Sequence, residues 1–172
     1  VTVERKKPSF ELLHNIVSEC FVPFCYGGGV DNVDDMKTLF QLGIEKVALN
    51  TAAVENPSLV EAAARLFGSQ SVIVSIDAKR KLFGGYEVVT HAGRKGTGLE
   101  PSAHAREMEQ RGAGEILITS VERDGTMQGY DLELVTRVST SVRVPVVACG
   151  GAARVEDLAA AMIEFENDAF GA

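Results

Sequence analysis

Positive charge is in short supply in this 172-residue chain: 17 Lys and Arg stand against 24 Asp and Glu, for a formal net charge of −7. A broad basic field for nucleic acid is therefore excluded. Local anion binding is not, because glycine loops and helix N-termini hold phosphate without net positive charge. Long apolar runs are missing too: none approaches the ~18 residues of a membrane span, and no charged-then-apolar leader pattern opens the chain. The expected location is the cytoplasm. Cysteine is sparse, and Cys20, Cys25 and Cys149 are odd in number and lack CxxC spacing. They read as reduced, mostly buried thiols, not a disulfide or zinc framework. His14, His91 and His104 are the only histidines, and no two have metal-ligand spacing. His104, inside "SAHAREMEQ", is expected at the surface. With no HExxH and no Ser–His pairing, zinc and hydrolase chemistries lack support, and no metal or cofactor is implied.

What is present is a 45% apolar composition, enough for one packed core in a single unit. Short β-rich runs recur at 20–26, 46–50, 71–77, 86–91, 115–120 and 144–150. Most are too short for helices and too uniformly apolar for a half-exposed sheet, so they fit buried parallel strands. Helical patterns lie between them at 32–43, 56–68, 100–112 and 131–142, three of them stopping at a glycine. Pro57 and Pro101 sit where a first-turn proline is tolerated. "YEVVTH" reads as an extra hairpin arm beside "IDAKRKLFGG". The alternation predicts an α/β chain with a parallel sheet.

A repeat narrows the architecture. At an offset of 122, "VPFCYGGGVDNVDDM" lies over "VPVVACGGAARVEDL", superimposing Pro23 on Pro145, Gly28 and Gly29 on Gly150 and Gly151, and Asp35 on Asp157. Two half-units of about 120 residues make roughly 240, close to the ~250 of a (β/α)8 TIM barrel. The chain is too short to close one. It opens in the helix-like "SFELLHNIVSE" and ends at "NDAFGA", where the repeat places an eighth strand. The expectation is one partial-barrel domain over 1–172, about strands three to seven with the start of strand eight possible, lacking the first two strands and breaking off in the seventh helix or eighth strand, so that sheet edges are left open.

In such barrels the site lies at the C-terminal ends of the strands. Those ends carry Gly27 to Gly29, Asn50 and Thr51, Asp77 with Lys79, Thr119 and Ser120, Asp124 to Thr126, and Gly150 with Gly151. Each glycine group follows a strand and precedes a helix, so its N–H groups can approach phosphate unobstructed; a tight turn needing positive φ explains the same residues. The duplication of the pair favours two phosphates. Asp77 emerges from the buried run "SVIVSID", where desolvation would raise its pKa and suit it to acid or base work. Pairing with Lys79 or Arg80 is the competing reading.

Five blocks then carry a resemblance: "GIEKVALNTAAVENPSLVEAAARLFGSQ", "SIDAKR", "THAGRKGTGL", "GAGEILITSVERDGTMQGYDLEL" and "ACGGA". Their order and spacing resemble the HisF family, the cyclase subunit of imidazole glycerol phosphate synthase. The resemblance covers nearly the whole chain after about residue 20. It implies a (β/α)8 barrel that takes glutamine-derived ammonia from a partner amidotransferase and uses it on a phosphoribulosyl-formimino aminoimidazole carboxamide nucleotide. Asp77 matches one of the family's two catalytic aspartates, the other lying on a first strand beyond this chain, so the fragment alone is expected to be inactive. Gly28, Gly29, Asn50 and Thr51 would hold one phosphate, and Gly125, Gly150 and Gly151 part of the other. Thr119 and Asp124 would line the groove between them. Lys46 and Glu115, plain surface charges by residue type, match an ammonia gate at the opposite face. "CYGGG" and "ACGGA", with Cys149 where serine is frequent, are similar to a paralogous branch that delivers ammonia for amidation of a nucleotide-linked sugar. A third reading is a non-catalytic scaffold for the amidotransferase.

Overall fold

The computed structural model describes residues 7–169. Five parallel strands form its frame: β1 (Cys25–Gly27), β2 (Lys46–Leu49), β3 (Val72–Arg80), β6 (Glu115–Ser120) and β7 (Val146–Cys149), side by side in that order. β4 (Tyr86–Thr90) and β5 (Lys95–Gly96) are antiparallel additions, β4 pairing with the Asp77–Arg80 end of β3. This is the hairpin arm expected from "YEVVTH". The parallel strands are linked through α2 (Val33–Gln41), α3 (Thr51–Glu55), α4 (Ser58–Phe67), α5 (Pro101–Gln110) and α6 (Leu132–Ser139), with α1 (Phe10–Ser18) before and α7 (Val155–Ala169) after. The result is a parallel α/β sheet forming part of a (β/α)8 barrel.

Local chemistry sets the helix limits. Asn32 caps α2 by accepting from the Asp35 N–H at 2.8 Å, Glu100 caps α5 by accepting from Ala103 N–H at 2.7 Å, and Asp131 caps α6 through Leu134 N–H at 3.3 Å. The glycines after α2, α4 and α5 (Gly43, Gly68 and Gly112) all have positive φ. Pro101 stands at the first turn of α5, while Pro57 is the N-cap of α4. The first strand is much shorter than the run at 20–26 suggested. Phe21 and Val22 are exposed, and pairing begins only where Phe24 C=O accepts from Glu45 N–H at 3.0 Å. Pro23, which has no N–H for a ladder, stands at that boundary.

The core lies between the sheet and its helices. Val47, Leu49, Val72, Val74, Ile76, Ile116 and Ile118 face Met36, Leu39, Val60, Ala63, Met108, Leu134 and Val138, all essentially inaccessible. The alternate strand positions, among them Cys25, Ala48, Ser75, Leu117 and Val147, point to the other face, which no described helix covers. This corrects the expected burial of the thiols: Cys25 and Cys149 are exposed and Cys20 is half-buried. The first two occupy open-face positions of short edge strands.

A second correction concerns His104, which is buried at 3% exposure. It belongs to the stripe Pro101, His104, Ala105 and Met108, the inward face of α5. Burial holds its pKa below the usual histidine value, with Glu107 opposing, and its Nδ1 has no hydrogen-bond partner among the described residues. Of the two expected ends, the seventh helix or an eighth strand over "NDAFGA", the described residues show the helix: α7 runs to Ala169. Residues 170–172 of that expectation lie outside the described residues.

Candidate functional site

At the C-terminal ends of β1, β2 and β3 a cavity of about 550 Å3 opens among Gly28, Gly29, Asn50, Thr51, Asp77 and His91. Five of the residues singled out in the sequence thus share one hollow. The turn after β1 passes through Gly28 at φ 113° and Gly29 at φ 71°, which brings backbone rather than side chains to the rim. Asn50 and Thr51 follow β2 directly at the start of α3.

Asp77 sits at the centre of this arrangement. Removal from water pushes its carboxyl above the usual aspartate range, a hydrogen bond with the Asn50 side chain opposes that, and the nearby Asp124 carboxylate raises it further. Of the competing pairings with Lys79 or Arg80, the one with Arg80 fails on strand geometry. Three positions apart, Asp77 and Arg80 point to opposite faces. Arg80 instead donates to Asp131 at 3.1 Å and Glu133 at 2.9 Å. A carboxyl so placed retains a proton to a higher pH than a surface aspartate and is suited to proton transfer.

The second group, Thr119, Asp124, Gly125, Gly150 and Gly151, lies outside that cavity, on the adjoining stretch of rim. The two groups meet where Thr119 is register partner of Asp77 and where Asp124 acts on the Asp77 carboxyl. The loop between β6 and α6 is held by its own backbone: Arg123 and Asp124 N–H both donate to Ser120 C=O, at 3.1 and 3.0 Å, and Thr126 N–H donates to Arg123 C=O at 3.0 Å. Its far end is tied to the glycine pair by Gly129 N–H donating to Gly151 C=O at 2.8 Å. A Cβ on Gly150 would lie 2.9 Å from Ser120 O, and one on Gly151 2.2 Å from Gly129 O. Glycine is needed there for backbone packing alone. Gly125 differs: at φ 73° a Cβ would meet nothing within 4 Å, so its turn is open to a ligand.

Lys46 and Glu115 occupy the other end of the strands, where the Lys46 ammonium donates to the Glu115 carboxylate across β3. Their side chains are 42% and 19% exposed. Sequence reasoning gave no site role to His91, Asp31, Glu55 or Ser75, which also line the cavity. Ser75 could have been found from the two-residue period that ends at Asp77, and His91 from the "THAG" block. His91 reaches the site because it and Ala92 take positive φ, 54° and 56°, which no local sequence rule announces. Among the described residues no group of three His, Cys, Asp or Glu side chains is gathered to hold a metal ion, and no helix is long and apolar enough to cross a membrane.

Residues 2–170 match the family model described as histidine biosynthesis protein. Among similar curated proteins, the imidazole glycerol phosphate synthase subunit HisF of Alkaliphilus metalliredigens (strain QYMF) is 50% identical over 151 residues, covering 88% of this chain and 60% of that protein. The same-named subunit of Hyphomonas neptunium (strain ATCC 15444) is 49% identical over 154 residues, covering 90% of this chain and 61% of that protein. The chain therefore spans about 60% of the length of the curated relatives it matches. With nearly its whole length matched and its βα rim built as described, the chain belongs to the histidine biosynthesis protein family.

Proposed function

We propose that the full-length protein is the cyclase subunit of imidazole glycerol phosphate synthase. It would use ammonia to convert a phosphoribulosyl-formimino aminoimidazole carboxamide nucleotide into imidazole glycerol phosphate and aminoimidazole carboxamide ribotide. The observation that carries the proposal is Asp77: a half-buried carboxyl with a raised pKa, bonded to Asn50 and sharing its cavity with a glycine turn. Asp77 serves as the proton-transferring group. Gly28, Gly29, Asn50 and Thr51 take one phosphate of the substrate, while Gly125, beside Gly150 and Gly151, offers its N–H to the other. Thr119 and Asp124 line the path between them.

Ammonia enters at the opposite end of the strands, past Lys46 and Glu115, from a glutaminase subunit docked on that face. A bonded pair of opposite charges suits the passage of a small neutral molecule better than that of an ion. The names of the relatives favour this reaction over sugar amidation, and both proteins would work in the cytoplasm. Full-length protein supplied with the nucleotide and an ammonium salt should form imidazole glycerol phosphate without the partner. Wild-type protein that is folded yet makes no product would refute the assignment.

A further inference from the structure

We propose that the Ser75 hydroxyl is the hydrogen-bonding station at which ammonia pauses between the Lys46–Glu115 pair and Asp77; this rests on reading the chain as part of an ammonia-using enzyme, and it gives a task to a residue which that reading leaves idle. A column of side chains on β3 carries the inference. Ile73, Ser75 and Asp77 are two positions apart, so all three point to the sheet face that no described helix covers. Ile73 is the register partner of Glu115, and Ser75 that of Leu117. The Lys46–Glu115 bridge therefore crosses β3 at about the level of Ile73, which is only 5% exposed although it faces the open side. At ~3.3 Å per residue, Ser75 stands about 6.6 Å above that level and Asp77 about 13 Å. Ser75 is midway.

The cavity follows the same column. Below Asp77 its lining continues through Ser75, Leu117 and Ala48 to Cys25, the register partner of Lys46. One hollow thus reaches from the level of the charged pair to the carboxyl. Leu117 and Ala48 offer it only apolar surface, and the Cys25 thiol is a weak hydrogen-bonding group. Ser75 alone brings a hydroxyl to this stretch. The residue is half-buried, and its hydroxyl makes no hydrogen bond among the described residues.

An unused hydroxyl in such a place suits a small neutral guest. Ammonia leaving water loses its hydrogen bonds, and a wholly apolar passage would return none. The serine hydroxyl can donate to the ammonia lone pair or accept one of its N–H groups, which offsets part of that loss halfway along. Ammonium has no lone pair and carries a full charge, and one neutral hydroxyl falls far short of its desolvation cost. The station therefore favours the neutral molecule that the reaction consumes.

The test compares two ammonia sources in the full-length protein bound to its glutaminase partner. With glutamine, Ser75→Ala should form about two- to tenfold less imidazole glycerol phosphate per glutamate released, the worth of one hydrogen bond. With an ammonium salt, which can reach Asp77 from the open rim, kcat should change by less than about twofold. Ser75→Thr, which keeps the hydroxyl, should restore most of the yield per glutamate. Unchanged yield in Ser75→Ala would overturn the proposal, as would an equal fall with both sources, which is what a merely structural role predicts.

A second arm needs no turnover. Ammonium chloride titrated into the serine-labelled full-length protein at alkaline pH, where part of it is neutral ammonia, should shift the Ser75 Cβ resonance in NMR, assigned by its absence from Ser75→Ala; matched potassium chloride should not. A resonance unmoved by ammonia would overturn the proposal whether or not the enzyme turns over. A resonance that moves in a protein inert toward the nucleotide would uphold the Ser75 station and sink the cyclase reading instead.

Discussion

Gly151→Ala separates packing from ligand binding in the glycine turns. Its φ of 102° lies beyond the left-handed well that an alanine can enter, so backbone strain alone costs about 1–3 kcal/mol. The new methyl would also sit 2.2 Å from Gly129 O, well inside contact, forcing apart the strands of chain joined by the 2.8 Å bond from Gly129 N–H to Gly151 C=O. Losing that bond adds roughly 0.5–1.5 kcal/mol. The expected loss is therefore roughly 2–4 kcal/mol, a large part of a typical folding stability of about 5–15 kcal/mol. Gly125→Ala is the control: at φ 73° with open space around the methyl, it should cost only about 1–2 kcal/mol. Urea unfolding of the full-length variants measures both. Gly125→Ala should instead raise KM for the phosphorylated substrate, since its methyl would stand in the open space proposed to receive a phosphate. Gly151→Ala unfolding within about 0.5 kcal/mol of wild type would refute the close-packing argument.

Three further outcomes follow from the same geometry. Asp77→Asn should lower kcat by about 10²–10⁴ while leaving the fold at least as stable at neutral pH. Its folded pKa is raised above the unfolded value of about 3.9, so the stability it contributes is present below that pH and is lost as pH rises through the folded pKa. The variant should lose this slope in pH-dependent denaturation. Lys46→Met should change stability by less than about 1 kcal/mol, because the pair is partly exposed; comparing glutamine-driven with ammonium-driven turnover should reveal a defect confined to the former. His104→Leu should stabilise the protein by on the order of 1 kcal/mol, removing a buried Nδ1 that has no partner among the described residues. A lowered histidine pKa gives stability that is full above the unfolded value of about 6.5 and falls with pH through the folded one. Thermal melts between pH 5 and pH 8 should therefore flatten in this variant.

How far the sequence could be read depended on whether each feature was fixed locally. The strand through Asp77 was legible because an apolar run stopped at a carboxylate, and the raised pKa followed from the burial that the run implied. The Asp131 cap was legible for the same local reason. The thiols were not, since burial of a strand residue depends on which face is covered. Cys25 and Cys149 fall on the face without helices, which apolar content does not report. His104 could have been placed inside: Pro101, Ala105 and Met108 mark the same helical stripe. His91 was out of reach, because its left-handed turn lies against Thr51, whose Oγ1 its N–H approaches at 3.5 Å from a segment distant in sequence.

The two glycine pairs show where a repeat in sequence stops being a repeat in chemistry. Gly28 and Gly29 border a cavity, whereas Gly150 and Gly151 are pressed against the backbone of Ser120 and Gly129. Equal motifs therefore have unequal surroundings: the first turn borders open space, and the second packs against the loop that carries Asp124. That loop is anchored again from behind. Asp131, the cap of α6, accepts from Arg80 and, at 2.8 Å, from the Tyr86 hydroxyl. Burial and the Asp131 carboxylate hold the Tyr86 phenol protonated well above its usual range, so this donor persists at any working pH. β3 consequently serves both sides of the sheet: Asp77 faces the cavity, and Arg80, on the opposite face, helps fix the segment whose charge tunes Asp77. Burial is the main cause of the raised Asp77 pKa and this framework adds to it through Asp124, so changes at Arg80 or Asp131 should shift the pH profile of turnover without touching the substrate.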